Sequence, residues 1–196
     1  MALENISDHE LVERYRKGCQ ASIETLVHRH KNKVYSYILM MVKNTTLAED
    51  LFQETFIKVI RSLDGGRYQE NGRFLSWVIR IAHNLIIDHY RKQSQMSLSS
   101  NDDHEGDLFN QARFSDPTVE EELVKEQIRR DVRRLIDRLP AEQREVVILR
   151  HYVGLSFKEI AQQTGVSINT ALGRMRYALI NMRKMIKEAD LKLTLR

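Results

Sequence analysis

LSFKEIAQQTGVSINTALGRMRYAL, from Leu155 to Leu179, reads as two short helices joined by a tight turn. Ser156 stands where it can cap the first, with Glu159 three residues on, the spacing of a capping box. Phe157, Ile160 and Ala161 recur at the three-to-four spacing of a buried helix face. Gly165 sits where a chain leaving a helix needs positive φ. Val166 is placed to fill the corner, and Ser167 can cap a second helix. A small residue, a turn glycine and a following cap are what two steeply crossing helices require. The stretch predicts a helix-turn-helix.

At 100° per residue, Ile168, Ala171, Met175, Ala178, Leu179 and Met182 fall on one side of the second helix, with Leu172 at its rim. The other side holds Asn169, Thr170, Gly173, Arg176 and Tyr177, with Arg174 on a flank. Amides, a hydroxyl, guanidinium groups and an aromatic ring can bond base edges and phosphates in a major groove. Gly173 is costly inside a helix, so its place on that face suggests close approach to another surface. Scattered arginines on a helix are commonly just solvated. Beside this turn geometry, DNA binding is the expectation.

The chain has 196 residues, room for one large or two small domains. Few aromatics, two prolines and eight glycines suit an all-helical fold. Cys19 is the single cysteine, which excludes an intramolecular disulfide or a cysteine zinc cage. The first residues are charged throughout, unlike a signal peptide. No apolar run approaches the roughly 18 residues that span a bilayer, so no membrane insertion is expected. Net charge is +4, unevenly spread. Residues 97–123 carry one arginine against eight acids, whereas the blocks on either side are net basic. A basic end domain suits a polyanion.

Upstream, Ser7 to Lys17 predicts a short helix closed by Gly18, and Ala21 to Val42 a longer one. Thr45 or Thr46 is placed to cap a third helix, ending about Leu63 before Asp64-Gly65-Gly66. Phe52, Phe56, Val59, Ile60 and Leu63 form its core stripe. Leu47, Asp50, Leu51, Glu54, Ile57 and Arg61 lie opposite, either a docking face or a face buried among several neighbours. A polar loop with Arg67 and Tyr68 follows. The next helix, Arg73 to about Tyr90, is expected to bury Phe74, Val78, Ile81, Ala82, Leu85 and His89. Arg73, Trp77, Arg80, Asn84 and Arg91 gather on a separate face. Arginines can meet phosphates there while bases stack on the indole; the competing reading puts Trp77 in the core.

Gln93 to Asp116 holds serines, asparagines and acids with few aliphatics, the composition of a linker. Helix resumes at Pro117-Thr118, with Val119, Leu123, Ile128, Val132, Leu135 and Leu139 on one face. Pro140 opens another helix, in which Val146, Val147, Leu149 and Tyr152 pack. The expected architecture is all-α: two helical domains, residues 1–93 and 118–196, joined by a flexible acidic linker, 94–117. Catalytic equipment is missing from the pattern. The histidines lack metal-pair spacing, and no phosphate-cradling loop or nucleophile elbow occurs. No enzyme activity, metal or cofactor is expected.

Together AEDLFQETFIKVIRSL (Ala48–Leu63), GRFLSWVIRIAHNLIIDHYRK (Gly72–Lys92) and LPAEQREVVILRHYVGLSFKEIA (Leu139–Ala161), followed by the terminal helix-turn-helix, resemble an extracytoplasmic-function sigma factor. The resemblance covers nearly the whole chain in order and spacing. It implies a cytoplasmic promoter-recognition subunit, monomeric when free, that binds the beta-prime clamp helices and beta subunit of core RNA polymerase. Asp50, Leu51, Gln53 and Glu54 match the clamp-binding surface. The loop Asp64–Gly72, with Arg67 and Tyr68, resembles the one that captures a flipped base of the minus-ten non-template strand. Arg73, Trp77, Arg80 and Asn84 resemble the surface where that strand melts. Ser167, Asn169, Thr170, Leu172, Gly173, Arg174, Arg176 and Tyr177 match the reader of duplex minus-thirty-five DNA. The linker resembles the segment threading the polymerase near its active centre. The family also implies an anti-sigma partner, although no residue here identifies one. Leu172, Gly173, Tyr177 and Leu179 depart from residues usual in the family, so a different promoter preference is expected. The rival reading is a stand-alone helix-turn-helix regulator, which would dimerise on duplex operators.

Overall fold

In the computed structural model, which describes residues 5–69, 72–96 and 119–189, Ser7 opens α1 (Asp8–Arg16) by accepting from the Glu10 amide at 3.2 Å. Nine residues are too few for a stable isolated helix, and tertiary contacts hold this one. Leu11, Val12 and Tyr15 are buried. Asp8 accepts from Arg29 Nη1 at 2.6 Å and lies 2.8 Å from His30 Nε2, both on α2 (Gln20–Val42). Burial pushes the Asp8 carboxyl upward, but the bonds and charges of His30 and Arg29 prevail and hold it below its usual value.

That sign fixes a pH dependence. A carboxyl whose pKa is lowered by folding contributes its full stability above the unfolded value, 3.8, and loses it as pH falls through the folded one. Asp8→Ala is expected to cost about 1.5–3 kcal/mol near neutrality. In urea melts the gap from wild type should close below about pH 3.8. A gap independent of pH would mean that helix capping, not the charged cluster, carries the effect.

Asn44, rather than Thr45 or Thr46, caps α3 (Thr45–Asp64), its Oδ1 accepting from the Leu47 amide at 2.9 Å. Asparagine outranks threonine at this position, so the helix starts one residue before the earliest expected cap allows. Lys43 takes the left-handed conformation that ends α2, φ 54°. Next comes α4 (Phe74–Met96), extending past the expected end near Tyr90. Helix α2 packs on α1, α3 and α4, and α3 packs on α4. Leu26, Val34, Tyr37, Ile38, Val59, Phe74 and Val78 fill the centre. The inward stripe of α4 also includes buried Ile79 and Ile86, whereas Ile81 and His89 are half-buried.

The first described helix of the second unit is α5 (Val119–Asp137), which buries Leu135 and Ile136. Pro140 then precedes α6 (Ala141–Val147), and a π-helical stretch (Ile148–Val153) continues it. That stretch buries Ile148 beside Leu149 and leaves Tyr152 half-exposed. Gly154, φ 91°, ends it. Helices α7 (Phe157–Thr164) and α8 (Ile168–Glu188) complete the fold. The chain divides into two compact units, Met1–Leu108 and Phe109–Arg196. The expected linker lies, apart from its first residues, outside those described. No helix is long and apolar enough to cross a membrane among the described residues.

Candidate nucleic-acid and partner surfaces

The Ser156 hydroxyl accepts from the Glu159 amide, and Glu159 Oε2 accepts in return from the Ser156 amide at 2.9 Å, so the capping box is complete. Gly165 turns the chain at φ 68°, and Ser167 starts α8 by accepting from the Thr170 amide at 3.0 Å. Arg150 steadies the approach to this motif: Nη1 donates to the Leu155 carbonyl at 2.9 Å, and its guanidinium lies 5.2 Å from the Phe157 ring centre. Helices α6 and α7 both pack on α8. Asn181 Nδ2 donates to Gln143 Oε1 at 2.8 Å, a polar pin between α8 and α6.

Ala171, Met175 and Ala178 are the buried positions of α8. The inward face is therefore narrower than expected. Ile168, Leu172 and Leu179 are exposed, as is Ile180. Helices α5, α6 and α7 together cover only part of a 21-residue helix, about 30 Å long. Asn169, Thr170, Arg176 and Tyr177 all face solvent, with Tyr177 61 % exposed. Arg174 is more covered, its Nη2 4.0 Å from Glu142 Oε1. A Cβ built on Gly173 would meet nothing within 4 Å, so no neighbour in the chain requires glycine there.

On α3 the exposed stripe is Asp50, Gln53, Glu54, Ile57 and Arg61. Glu54 Oε1 lies 3.3 Å from Lys58 Nζ, an exposed pair one turn apart. Leu51 does not belong to this stripe. At 5 % exposure it packs inward, since it lies 100° around the helix from Asp50. The face is not wholly buried among neighbours, and a 47 % exposed isoleucine, Ile57, sits among its polar groups.

The loop and α4 form the third surface. Arg67 is exposed, but Tyr68, expected to face a ligand, is 3 % exposed. Its ring centre lies 4.2 Å from that of Trp77 and 5.9 Å, edge-on, from Phe74. Once the chain turns at Gly66, φ 65°, the apolar ring finds this aromatic bed. Tyr68 thus backs Trp77 from inside. Trp77 is half-buried, while Arg73, Arg80, Asn84 and Arg91 are exposed beside it. Neither a wholly buried indole nor a fully solvated one results. Ile87, 50 % exposed, lies on the same side of α4 and was not anticipated. Its outward position could be read only from helical phase, because isoleucine is an expected core residue.

An all-helical protein with a terminal helix-turn-helix and a separate cation-and-indole surface is the class so defined. Sigma-70 region 2 matches residues 26–96, and sigma-70 region 4 matches residues 129–176. The RNA polymerase sigma factor CarQ of Myxococcus xanthus is 33% identical over 182 residues, covering 92% of this chain and 98% of CarQ. The ECF RNA polymerase sigma-E factor of Escherichia coli K12 is 33% identical over 177 residues, 88% of this chain and 90% of that protein. The chain belongs to the extracytoplasmic-function family of RNA polymerase sigma factors, the promoter-recognition subunits of the bacterial enzyme. Solved structures share its fold, among them the following. The sigma factor RpoE of Bartonella quintana, in complex with the anti-sigma factor NepR, gives a TM-score of 0.69 at 20% identity over 84% of this chain and 96% of that one. CnrH, in complex with the cytosolic domain of CnrY, gives 0.63 at 23% identity over 93% and 99%.

Proposed function

We propose that the two units divide promoter recognition between them. The first binds the beta-prime clamp through the exposed α3 stripe, chiefly Asp50, Gln53 and Glu54, with Leu51 as packing beneath. Its α4 face receives the minus-ten non-template strand. Arg73 and Arg80 meet phosphates, Asn84 bonds a base or sugar edge, and Trp77 offers its ring for stacking. Arg67 lies in the loop that takes the flipped base, whose extrusion costs a few kcal/mol of unstacking. The observation that supports this most directly is the half-exposed Trp77 among exposed cations, seated on a buried Tyr68.

The second unit reads minus-thirty-five duplex with the outer face of α8. Asn169, Thr170, Arg176 and Tyr177 supply base and phosphate contacts, Ser167 bonds backbone at the helix start, and Arg174 contributes from the flank. Leu172 is exposed and able to touch a thymine methyl. Catalysis stays with the polymerase, and the protein works in the cytoplasm as a monomer. Relatives of this fold are held by an anti-sigma factor or a cytosolic domain, and a protein of that kind is the proposed inhibitor here.

Gly173→Ala tests the α8 surface. Alanine favours a helix interior by about 1 kcal/mol, and nothing in the chain obstructs its Cβ. The melting temperature of the second unit is expected to rise by about 4–8 °C, while holoenzyme affinity for minus-thirty-five duplex falls. Unchanged DNA affinity would remove the case for close approach at Gly173. The whole proposal is tested by transcription of a genomic fragment library with core polymerase, with and without this protein. New starts sharing two spaced upstream elements support it. An active core, a folded protein and no added starts would favour the stand-alone regulator.

A further inference from the structure

Helix α1 precedes the part of the chain that the region 2 model covers, residues 26–96, yet its last turn reaches the end of α3 and the loop that follows. Tyr15, itself buried, donates its hydroxyl to Asp64 Oδ1 at 2.7 Å. That bond, with burial and the Asp64 charge adding to it, raises the phenol above its usual value, so it stays a donor at any ordinary pH. Arg16 Nη2 donates to the carbonyl of Tyr68. Its Nη1 meets Glu13 Oε1 at 3.0 Å, which holds the guanidinium over the loop. One end of α1 is anchored on α2 through Asp8, Arg29 and His30, and Arg29 Nη2 also donates to the Ile6 carbonyl at 2.7 Å.

The consequence follows from what Tyr68 touches. Its ring lies against Trp77 and Phe74, so its backbone position sets how far the indole projects from α4. A short loop containing Gly65 and Gly66 has much freedom to lose. Backbone bonds from Gly65 to Arg61, Gly66 to Leu63 and Arg67 to Ser62 tie the start of the loop to α3. The Arg16 contact adds a charge-assisted bond at Tyr68, the next residue along.

We propose that α1 is a brace for the strand-capturing loop, with Arg16 and Tyr15 as positioning residues that fix Tyr68 and, through it, Trp77. The base-capture half rests on the reading of the loop given above. Holding the loop before DNA arrives removes part of the ordering cost from binding.

The test uses holoenzyme assembled from the full chain and core polymerase. Hydrogen exchange at the amides of residues 66–69 reports the brace. Single-stranded oligonucleotides from a promoter found by start-site mapping, each with an abasic site at one minus-ten position, report base capture. Wild type is expected to show one position where loss of the base weakens binding strongly. Arg16→Ala should speed exchange in the loop and shrink that abasic penalty about fivefold, the scale of one hydrogen bond. Arg16→Lys, which keeps a cationic donor, should recover part of both, and Tyr15→Phe should act in the same direction as Arg16→Ala. Arg14→Ala is the control. Arg14 pairs with Glu10 at 2.7 Å on the same helix, without reaching the loop. Equal effects of Arg14→Ala and Arg16→Ala would reduce the matter to helix stability and overturn the brace. Unchanged exchange in Arg16→Ala would also overturn it. Faster exchange with an unchanged penalty would overturn its role in capture. A wild type without any abasic penalty would overturn the capture reading alone, leaving exchange to decide the brace.

Discussion

Glu54→Arg is expected to lower affinity for core polymerase by about a hundredfold or more, while the protein melts close to the wild-type temperature. The two effects separate because Glu54 does little for the fold. It is exposed, and its pairing with Lys58 is a surface contact one turn apart, worth about 0.3–0.5 kcal/mol. At a docked surface the same carboxylate would face cationic groups across a water-poor gap. Reversal there places like charges together, at a cost of several kcal/mol. Glu54→Gln should fall between, since it removes charge without adding repulsion. Equilibrium binding of labelled protein to core, at two salt concentrations, gives the measurement. A reversal variant that binds core as wild type does would move the clamp contact off this stripe of α3.

The helix-turn-helix was legible nearly to the residue because its signals are local. Ser156, Glu159, Gly165 and Ser167 act within four residues of themselves, and each takes the expected role. Helical phase also separated the outward arginines of α4 from its core. Phase failed where burial depends on how far a neighbour extends. Ile168 and Leu179 share the phase of the α8 core yet stand exposed, whereas Leu51 is covered although its phase borders the polar stripe. Long-range contacts were harder still. Tyr68 carries no sign that it will lie on Trp77, nor Arg16 that it will reach a carbonyl 52 residues away. The only hint at Tyr68 was an aromatic next to a Gly-Gly turn, which fits a ligand as well as a core. The outward position of Ile87, by contrast, follows from helical phase alone.

Dividing recognition between two units has an energetic logic. Each surface is small, and neither need bind DNA tightly alone. Once both are fixed on one polymerase, the second contact becomes intramolecular, with an effective concentration set by the connection. A substitution on one surface should therefore change a distinct step. Changes on the α8 face should act on recruitment to duplex, and changes on the α4 face on what happens after the strands part.

Trp77→Ala provides the clearest separation, with an expected loss of about 5- to 150-fold in binding the single minus-ten strand, from 1–3 kcal/mol of base stacking. Recruitment to closed duplex should change far less. Permanganate reactivity of unpaired thymines measures opening, and footprinting at low temperature measures the closed complex. The indole is also part of the aromatic bed with Tyr68 and Phe74, so alanine will loosen the loop as well as remove a stacking surface. Trp77→Phe addresses this, because a smaller ring retains packing against Tyr68 and some stacking area. Its opening defect should be a minor fraction of that of alanine. If phenylalanine were as defective as alanine, the indole's size or its N–H would be the required feature. If both variants opened promoters normally, Trp77 would be a core residue that happens to border solvent, and the strand would have to lie elsewhere on the unit.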